Sequence, residues 1–304
     1  MEQEVLFQKI LTSIESQINI LADKSEENAQ NTLSALWHTA SGNRVSPIKA
    51  NNLELPYLEP NQISKLEELI RCRLRGVPLA HLTERQNFMG LDYIVNKGLY
   101  IPRKETELLA GTAIDLLSQD YSSKLEVRVI DLCTGIGTIA LAIANFCPNS
   151  IVFGSDIYKP AIEAAIINAK HFGLENQVFF FNSDMFDPFE SLDLKNKVDI
   201  IVSAPPYISS VKVKQMAKEI ADHEPSEAFD AGPFGLSIFN ILISISPDYL
   251  CNNGYLIFEC GLGQGEYLAK RLRSNINYGE IDEICDEHGN IRVLKARKVS
   301  EDLK

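Results

Sequence analysis

The sequence lacks any apolar run of about 18 residues, the least a helix needs to cross a bilayer, and this argues against a helical membrane span. Its opening stretch, MEQEVLFQKILTSIESQINI, has neither the basic start nor the apolar core of a secretory signal, so a cytoplasmic protein is expected. Basic residues are in the minority. The 29 Lys and Arg against 41 Asp and Glu leave a net charge of −12, which argues against broad binding to nucleic acid or anionic lipid. A small basic or neutral partner stays open. Cysteine pairs are missing too: none of Cys72, Cys133, Cys147, Cys251, Cys260 and Cys285 forms a C-x-x-C. The histidines His38, His81, His171, His223 and His288 show no metal-ligand spacing. Reduced, mostly buried thiols are expected, with no metal. No internal repeat or low-complexity tract occurs.

What is present is ordinary globular composition, 45% hydrophobic and 23% charged over 304 residues, enough for one large or two ordinary domains with a sizeable core. Val5, Leu6, Ile10, Leu11, Ile14 and Ile18 recur at helical spacing, as do Leu33, Leu36 and Trp37, and then Ile63, Leu66, Leu69 and Ile70. These predict a helical N-terminal domain over residues 1–84. Residues 85–102 nearly alternate at Phe88, Leu91, Tyr93 and Val95, and Asn96-Lys97-Gly98 supplies turn chemistry, so a β-hairpin linker is expected.

Residues 103–304 change rhythm. Val127–Leu132, Ile151–Ser155, Val178–Phe181, Asp199–Ser203, Tyr255–Phe258 and Ile291–Lys295 read as strands. Ile139–Phe146, Lys159–Phe172, Leu236–Leu250 and Gly265–Arg273 read as helices. The alternation predicts an α/β fold with a largely parallel, Rossmann-like sheet covered on both faces. Its ligand is expected at the carboxyl ends of the strands.

The first of these strands runs into VIDLCTGIGTIALAIA, where Asp131, Thr134, Gly135 and Gly137 make a glycine-rich turn before a helix. A third fingerprint glycine is absent, since position 140 is Ala. Asp156 stands 19 residues beyond Gly137 at the end of the second strand, followed by Ile157, where an acid can accept from a ribose diol. Ser183 and Asp184 follow the third strand, and Asp184 is suited to an exocyclic adenine amine. Each Asp alone would more simply cap a turn. Three at successive strand ends favour a nucleoside site, and their negative charge suits a cationic sulfonium better than a pyrophosphate. The expected ligand is S-adenosylmethionine (SAM).

After the fourth strand, Ser203-Ala204-Pro205-Pro206-Tyr207 sets two residues without an N–H beside an aromatic ring. Pro-Pro-Tyr by itself would only end a strand. In this order, however, PLAHLTERQNFMG (78–90), IPRKETELL (101–109), DLCTGIGTIALA (131–142), SAPPYIS (203–209), HEPSEAFDAGPFG (223–235) and FECGLGQ (258–264) resemble the release-factor glutamine methyltransferases, the HemK/PrmC-like enzymes. The resemblance implies a helical N-terminal domain, a hairpin linker and a class I SAM-dependent methyltransferase domain. It also implies methylation of the glutamine amide in a Gly-Gly-Gln loop, with a class 1 release factor as partner. By the same resemblance Ser203 to Tyr207 form the catalytic motif and Phe88 belongs to the substrate pocket. Arg103, Glu105, Thr106 and Glu107 would lie over the methionine end of the cofactor, although a charged helix N-terminus accounts for the last two equally well.

Two positions depart from the family. Lys104 replaces a usual proline, and Ala204 stands where the family has the Asn of Asn-Pro-Pro-Tyr. That Asn holds the substrate amide so that its nitrogen faces the methyl group, and Ala204 has no polar side-chain atom to do so. Three functions follow as alternatives. The first is methyl transfer to a nitrogen, either the release-factor glutamine or a diverged acceptor, including a small molecule. The second is intramolecular cyclisation of SAM to azetidine-2-carboxylate with release of methylthioadenosine. The third is SAM binding without catalysis.

Overall fold

The helical spacing near the N-terminus folds into α1 (Glu2–Glu15), α2 (Ala29–Ser41) and α3 (Pro60–Leu74). They belong to a computed structural model that describes residues 2–21 and 23–300. Met1, Ala22 and residues 301–304, which fall in the expected first and last domains, lie outside the described residues. Asn28 caps α2 by accepting the Asn31 N–H, and Gly42 closes it at φ 98°. Pro60 opens α3 where no N–H is needed, while Gln62 accepts the Glu59 N–H at 2.9 Å. Phe7, Leu11, Ile14, Leu33, Leu36, Trp37 and Leu66 meet in one core. Ile18 lies past the end of α1 yet still packs on that core.

The hairpin is β1 (Arg85–Phe88) against β2 (Leu91–Ile94), antiparallel with Phe88 opposite Leu91. Its turn is Met89-Gly90, with φ of 52° and 79°, the two-residue left-handed loop that matches strand twist. The expected turn at Asn96–Gly98 exists, since Leu99 N–H donates to Asn96 at 3.3 Å, but it follows the hairpin instead of closing it.

These elements form the first of two compact units, Met1–Lys104 together with Met216–Pro225. The sequence reading left residues 216–225 with the C-terminal part. Buried charge holds them here. Arg73 bridges Glu27 and Glu219, each at 3.0 Å, and Lys24 reaches Glu219 at 3.3 Å. None of these four residues is more than 8% exposed. Glu224 accepts the Ile101 N–H at 2.9 Å and Arg103 Nη2 at 2.6 Å.

The second unit is Glu105–Gln215 with Ser226–Lys304. Its strands are β3 (Val127–Leu132), β4 (Ser150–Asp156), β5 (Val178–Asn182), β6 (Val198–Ser203), β7 (Leu250–Glu259), β8 (Tyr278–Cys285) and β9 (Ile291–Lys298). Its longer helices are α4 (Glu107–Asp120), α5 (Thr138–Phe146), α6 (Lys159–Phe172), α7 (Ser237–Tyr249) and α8 (Gly265–Arg273). The sheet order is β5-β4-β3-β6-β7-β9-β8, with β9 antiparallel to both neighbours. Every residue of β6 is buried, its apolar Ile200-Ile201-Val202 flanked by Asp199, which pairs with Lys124, and Ser203. The chain leaves β3 for β4 and β5 on one side, then crosses to β6 and β7 on the other. The adjacent carboxyl ends of β3 and β6 are therefore the topological switch point.

Arg73 faces two buried carboxylates. We expect Arg73→Ala to destabilise the protein by about 3–5 kcal/mol in urea unfolding, because it leaves Glu27 and Glu219 with Lys24 alone. A loss below about 1 kcal/mol would contradict this.

Candidate active site

The turn after β3 is built around one buried carboxylate. Asp131 is 0% exposed, and its Oδ2 accepts the Thr134 hydroxyl at 2.6 Å and the Ala140 N–H at 3.1 Å. That single oxygen ties the turn to α5. Oδ1 has no partner among the described residues. Burial pushes the Asp131 carboxyl up to about 7, against those two hydrogen bonds. Gly135 has φ 57° with open space at its Cβ direction. Gly137 has φ 82°, and a Cβ there would lie 2.6 Å from the Phe180 ring, so this glycine allows the turn to pack closely on β5. Buried Asn168 of α6 donates to the Ile136 carbonyl at 3.2 Å and braces the turn from below. Burial pushes the Cys133 thiol well up, which disfavours the thiolate, and the thiol points at the Met185 sulfur at 3.8 Å.

At the end of β4, Asp156 accepts the N–H groups of Gly135 and Tyr158, one on each oxygen and both at 2.8 Å. Burial raises this carboxyl as well, and the two N–H bonds oppose the rise. Each oxygen retains lone-pair capacity for a further donor. Ile157 is 66% exposed, an apolar face beside that carboxylate. Ser183 N–H donates to the Asp156 carbonyl at 3.1 Å, and the Asn182 amide donates to the Asp156 and Ile157 carbonyls at 3.0 Å. These bonds fasten β5 to β4 and leave Asp184 exposed just beyond. Asp131, Asp156 and Asp184 thus stand at the ends of three adjacent strands.

Across the switch point, Leu132 pairs with Ser203. The Ser203 side chain is 0% exposed and its hydroxyl donates to the Leu132 carbonyl at 2.8 Å. Ser203, expected in the catalytic motif, is therefore committed to a strand contact and presents no polar atom to a ligand. Ala204 is half-buried, Pro205 buried, and Pro206 and Tyr207 half-buried. The Tyr207 hydroxyl donates to Glu259 at 3.2 Å.

Two further candidates lie in the first unit. Arg103 lies in the first unit with its guanidinium on Glu224, on Asp23 at 3.4 Å and on the Ile101 carbonyl at 3.0 Å, leaving it committed within that unit. Phe88 is 1% exposed and meets Tyr93 edge-on within the hairpin. Of the remaining candidates, Glu105 is exposed, and Thr106 is buried, its hydroxyl opposing the upward shift that burial imposes on the Glu259 carboxyl. Glu107 opens α4. Glu259, Gln264 and Asn168 were not singled out from sequence. A carboxylate directly after the apolar run YLIF was the available signal for the first.

A buried acid with one unsatisfied oxygen, an open glycine turn, a carboxylate with lone-pair capacity to spare and an exposed apolar side chain beside it together fit SAM. The order β5-β4-β3-β6-β7-β9-β8 with β9 reversed, and this edge, define a class I SAM-dependent methyltransferase. The family model for the methyltransferase small domain matches residues 106–228. The release factor glutamine methyltransferase of Geobacter sulfurreducens is 32% identical over 278 residues, covering 91% of this chain and 92% of that protein. The corresponding protein of Buchnera aphidicola is 35% identical over 244 residues, 79% of this chain and 82% of its own. That of Agrobacterium fabrum is 31% identical over 238 residues, covering 78% and 80%. The chain belongs to the release factor glutamine methyltransferase family and is a SAM-dependent transferase.

Asp156→Asn removes a charged acceptor, and calorimetric titration is expected to show SAM affinity falling by about tenfold or more, with unchanged affinity contradicting the diol role. In the ligand-free protein the folded state retains a proton on Asp131 that the unfolded chain releases between pH 3.8 and about 7. Stability contributed by this group therefore falls as pH rises through that window. Asp131→Asn should flatten the dependence of the urea midpoint on pH, and an unchanged slope would contradict the assignment.

Proposed function

We propose that the chain transfers the methyl group of SAM to a nitrogen presented at Ala204-Pro205-Pro206-Tyr207, the glutamine amide of a release factor or a diverged nitrogen acceptor. The observation that carries this reading is the position of that motif at the end of β6, beside the Asp131 turn of β3, in a chain alignable with release factor glutamine methyltransferases over 91% of its length. SAM supplies an electrophilic methyl on a sulfonium. The residues of the chain do the rest. Asp156 and Ile157 hold the nucleoside, and Asp184 is offered to the adenine amine. Pro205 and Pro206 have no N–H, so the strap cannot extend the sheet, and its carbonyls serve the acceptor.

Ala204 leaves one side of that acceptor without a hydrogen-bonding side chain. An unpaired amide in a water-poor site costs about 1–3 kcal/mol, roughly 5- to 150-fold in rate if it acts in the transition state. We therefore expect Ala204→Asn to raise kcat/KM toward a class 1 release factor by about tenfold or more. No gain would argue that the acceptor has diverged from a glutamine amide.

The same alanine is compatible with a second reading. Without an acceptor clamp, the neutral amine of SAM can attack its own γ-carbon. The C–S bond breaks, methylthioadenosine leaves, and the new ring nitrogen loses a proton, giving azetidine-2-carboxylate. Identifying the nucleoside product separates the readings. S-adenosylhomocysteine formed only with release factor supports methyl transfer, and methylthioadenosine from SAM alone supports cyclisation. Neither product, with SAM binding intact, would overturn both.

A further inference from the structure

The residues after β6 form a strap whose hold comes from a different part of the chain. Gln264, immediately before α8, accepts the Gly261 N–H at 2.9 Å through Oε1. Its Nε2 donates to the Tyr207 carbonyl at 3.1 Å and to the Gly235 carbonyl at 3.2 Å. One carboxamide thus joins the segments that follow β6, precede α7 and follow β7. The fit leaves no slack. A Cβ on Gly235 would lie 2.5 Å from the Tyr207 carbonyl oxygen, and one on Gly261 would lie 2.9 Å from the Tyr207 ring. At the far end of the ring, the Tyr207 hydroxyl donates at 3.2 Å to Glu259, which is 3% exposed and paired with Arg292 at 3.3 Å. A buried carboxylate is a costly way to end a strand unless its charge is used. Here it terminates β7 beside the motif and receives the motif's hydroxyl.

We infer that Glu259 and Gln264 are positioning residues for the acceptor end of the site. Glu259 fixes the Tyr207 ring and Gln264 fixes its carbonyl, and through the stiff Pro205-Pro206 pair they set the direction of the strap. The inference rests on the methyl-transfer reading for its catalytic consequence, but the contact itself can be read without turnover. Downstream of the strap, the Ile208 N–H donates to Phe229 at 3.0 Å and the Ser210 N–H to Gly232 at 3.1 Å, so both amides report whether it is held.

The test uses the full chain, wild type and the variants Gln264→Ala, Glu259→Gln, Glu259→Ala, Tyr207→Phe and the Glu259→Ala/Tyr207→Phe double variant. Hydrogen exchange should show protection lost at Ile208 and Ser210 in Gln264→Ala, with β6 unchanged. Calorimetry should show SAM affinity within about twofold of wild type. With release factor as the acceptor probe, kcat/KM should fall by about tenfold or more in Glu259→Ala and less in Glu259→Gln, whose carbonyl still accepts the phenol. Adding Glu259→Ala to Tyr207→Phe should then cause little further loss, because the two act through one contact. Native-like protection in Gln264→Ala, or effects of Glu259→Ala and Tyr207→Phe that multiply, would overturn the inference. A wild-type chain inactive with release factor whose Gln264→Ala variant still loses protection would overturn the proposed reaction and leave the positioning contact standing.

Discussion

The site depends on one buried carboxylate holding a sharp turn. Asp131 is fully buried near the end of β3, and its Oδ2 bonds both Thr134 and Ala140, so the backbone must reverse within a few residues of β3. That reversal sends the Gly135 N–H to Asp156 and brings the turn against Phe180 and Asn168. The ends of three parallel strands then form one continuous edge. Burying an acid in this way disfavours its charged form, and the structure retains the group regardless. A cationic ligand nearby gives that arrangement its use.

The other half of the site is defined by what it does not offer. Ser203 is turned toward Leu132 by the parallel register of β3 and β6, and Ala204 carries only a methyl group. On the proposed reading, the polar atoms near an acceptor are those of the strap backbone and the Tyr207 phenol, which is itself held by Glu259. A site that orients its substrate by backbone and ring alone discriminates less sharply than one with a matched carboxamide. The tight seating of the strap by Gln264, Gly235 and Gly261 compensates by removing its freedom to move.

Much of this was legible in the sequence because local and global signals agreed. The parallel strands β3, β4 and β6 read as short β runs leading to Asp131, Asp156 and the proline pair, and helical stretches alternated with them. Strand β8 was not legible, since it is a sheet edge whose Glu280, Asp282 and Glu283 face solvent and erase the apolar alternation. The hairpin turn was misplaced because Asn96-Lys97-Gly98 carries stronger turn chemistry than Met89-Gly90, which adopts its left-handed conformation under the pairing of Phe88 with Leu91. Residues 216–225, read from sequence with the C-terminal part, cluster with Met1–Lys104. Glu219 looks like a surface acid until Arg73, distant in sequence, is seen beside it. Ser203 and Arg103 had the right chemistry for a site, but tertiary partners had already claimed them.

The most direct check is an experimental structure of the chain with S-adenosylmethionine bound. The account predicts the ribose hydroxyls on the Asp156 carboxylate, the adenine against Ile157, and the sulfonium facing the Pro205–Tyr207 strap with no side-chain carboxamide beside Ala204. A nucleoside lodged away from the β3 and β4 ends, or another residue supplying a carboxamide at the Ala204 position, would contradict it.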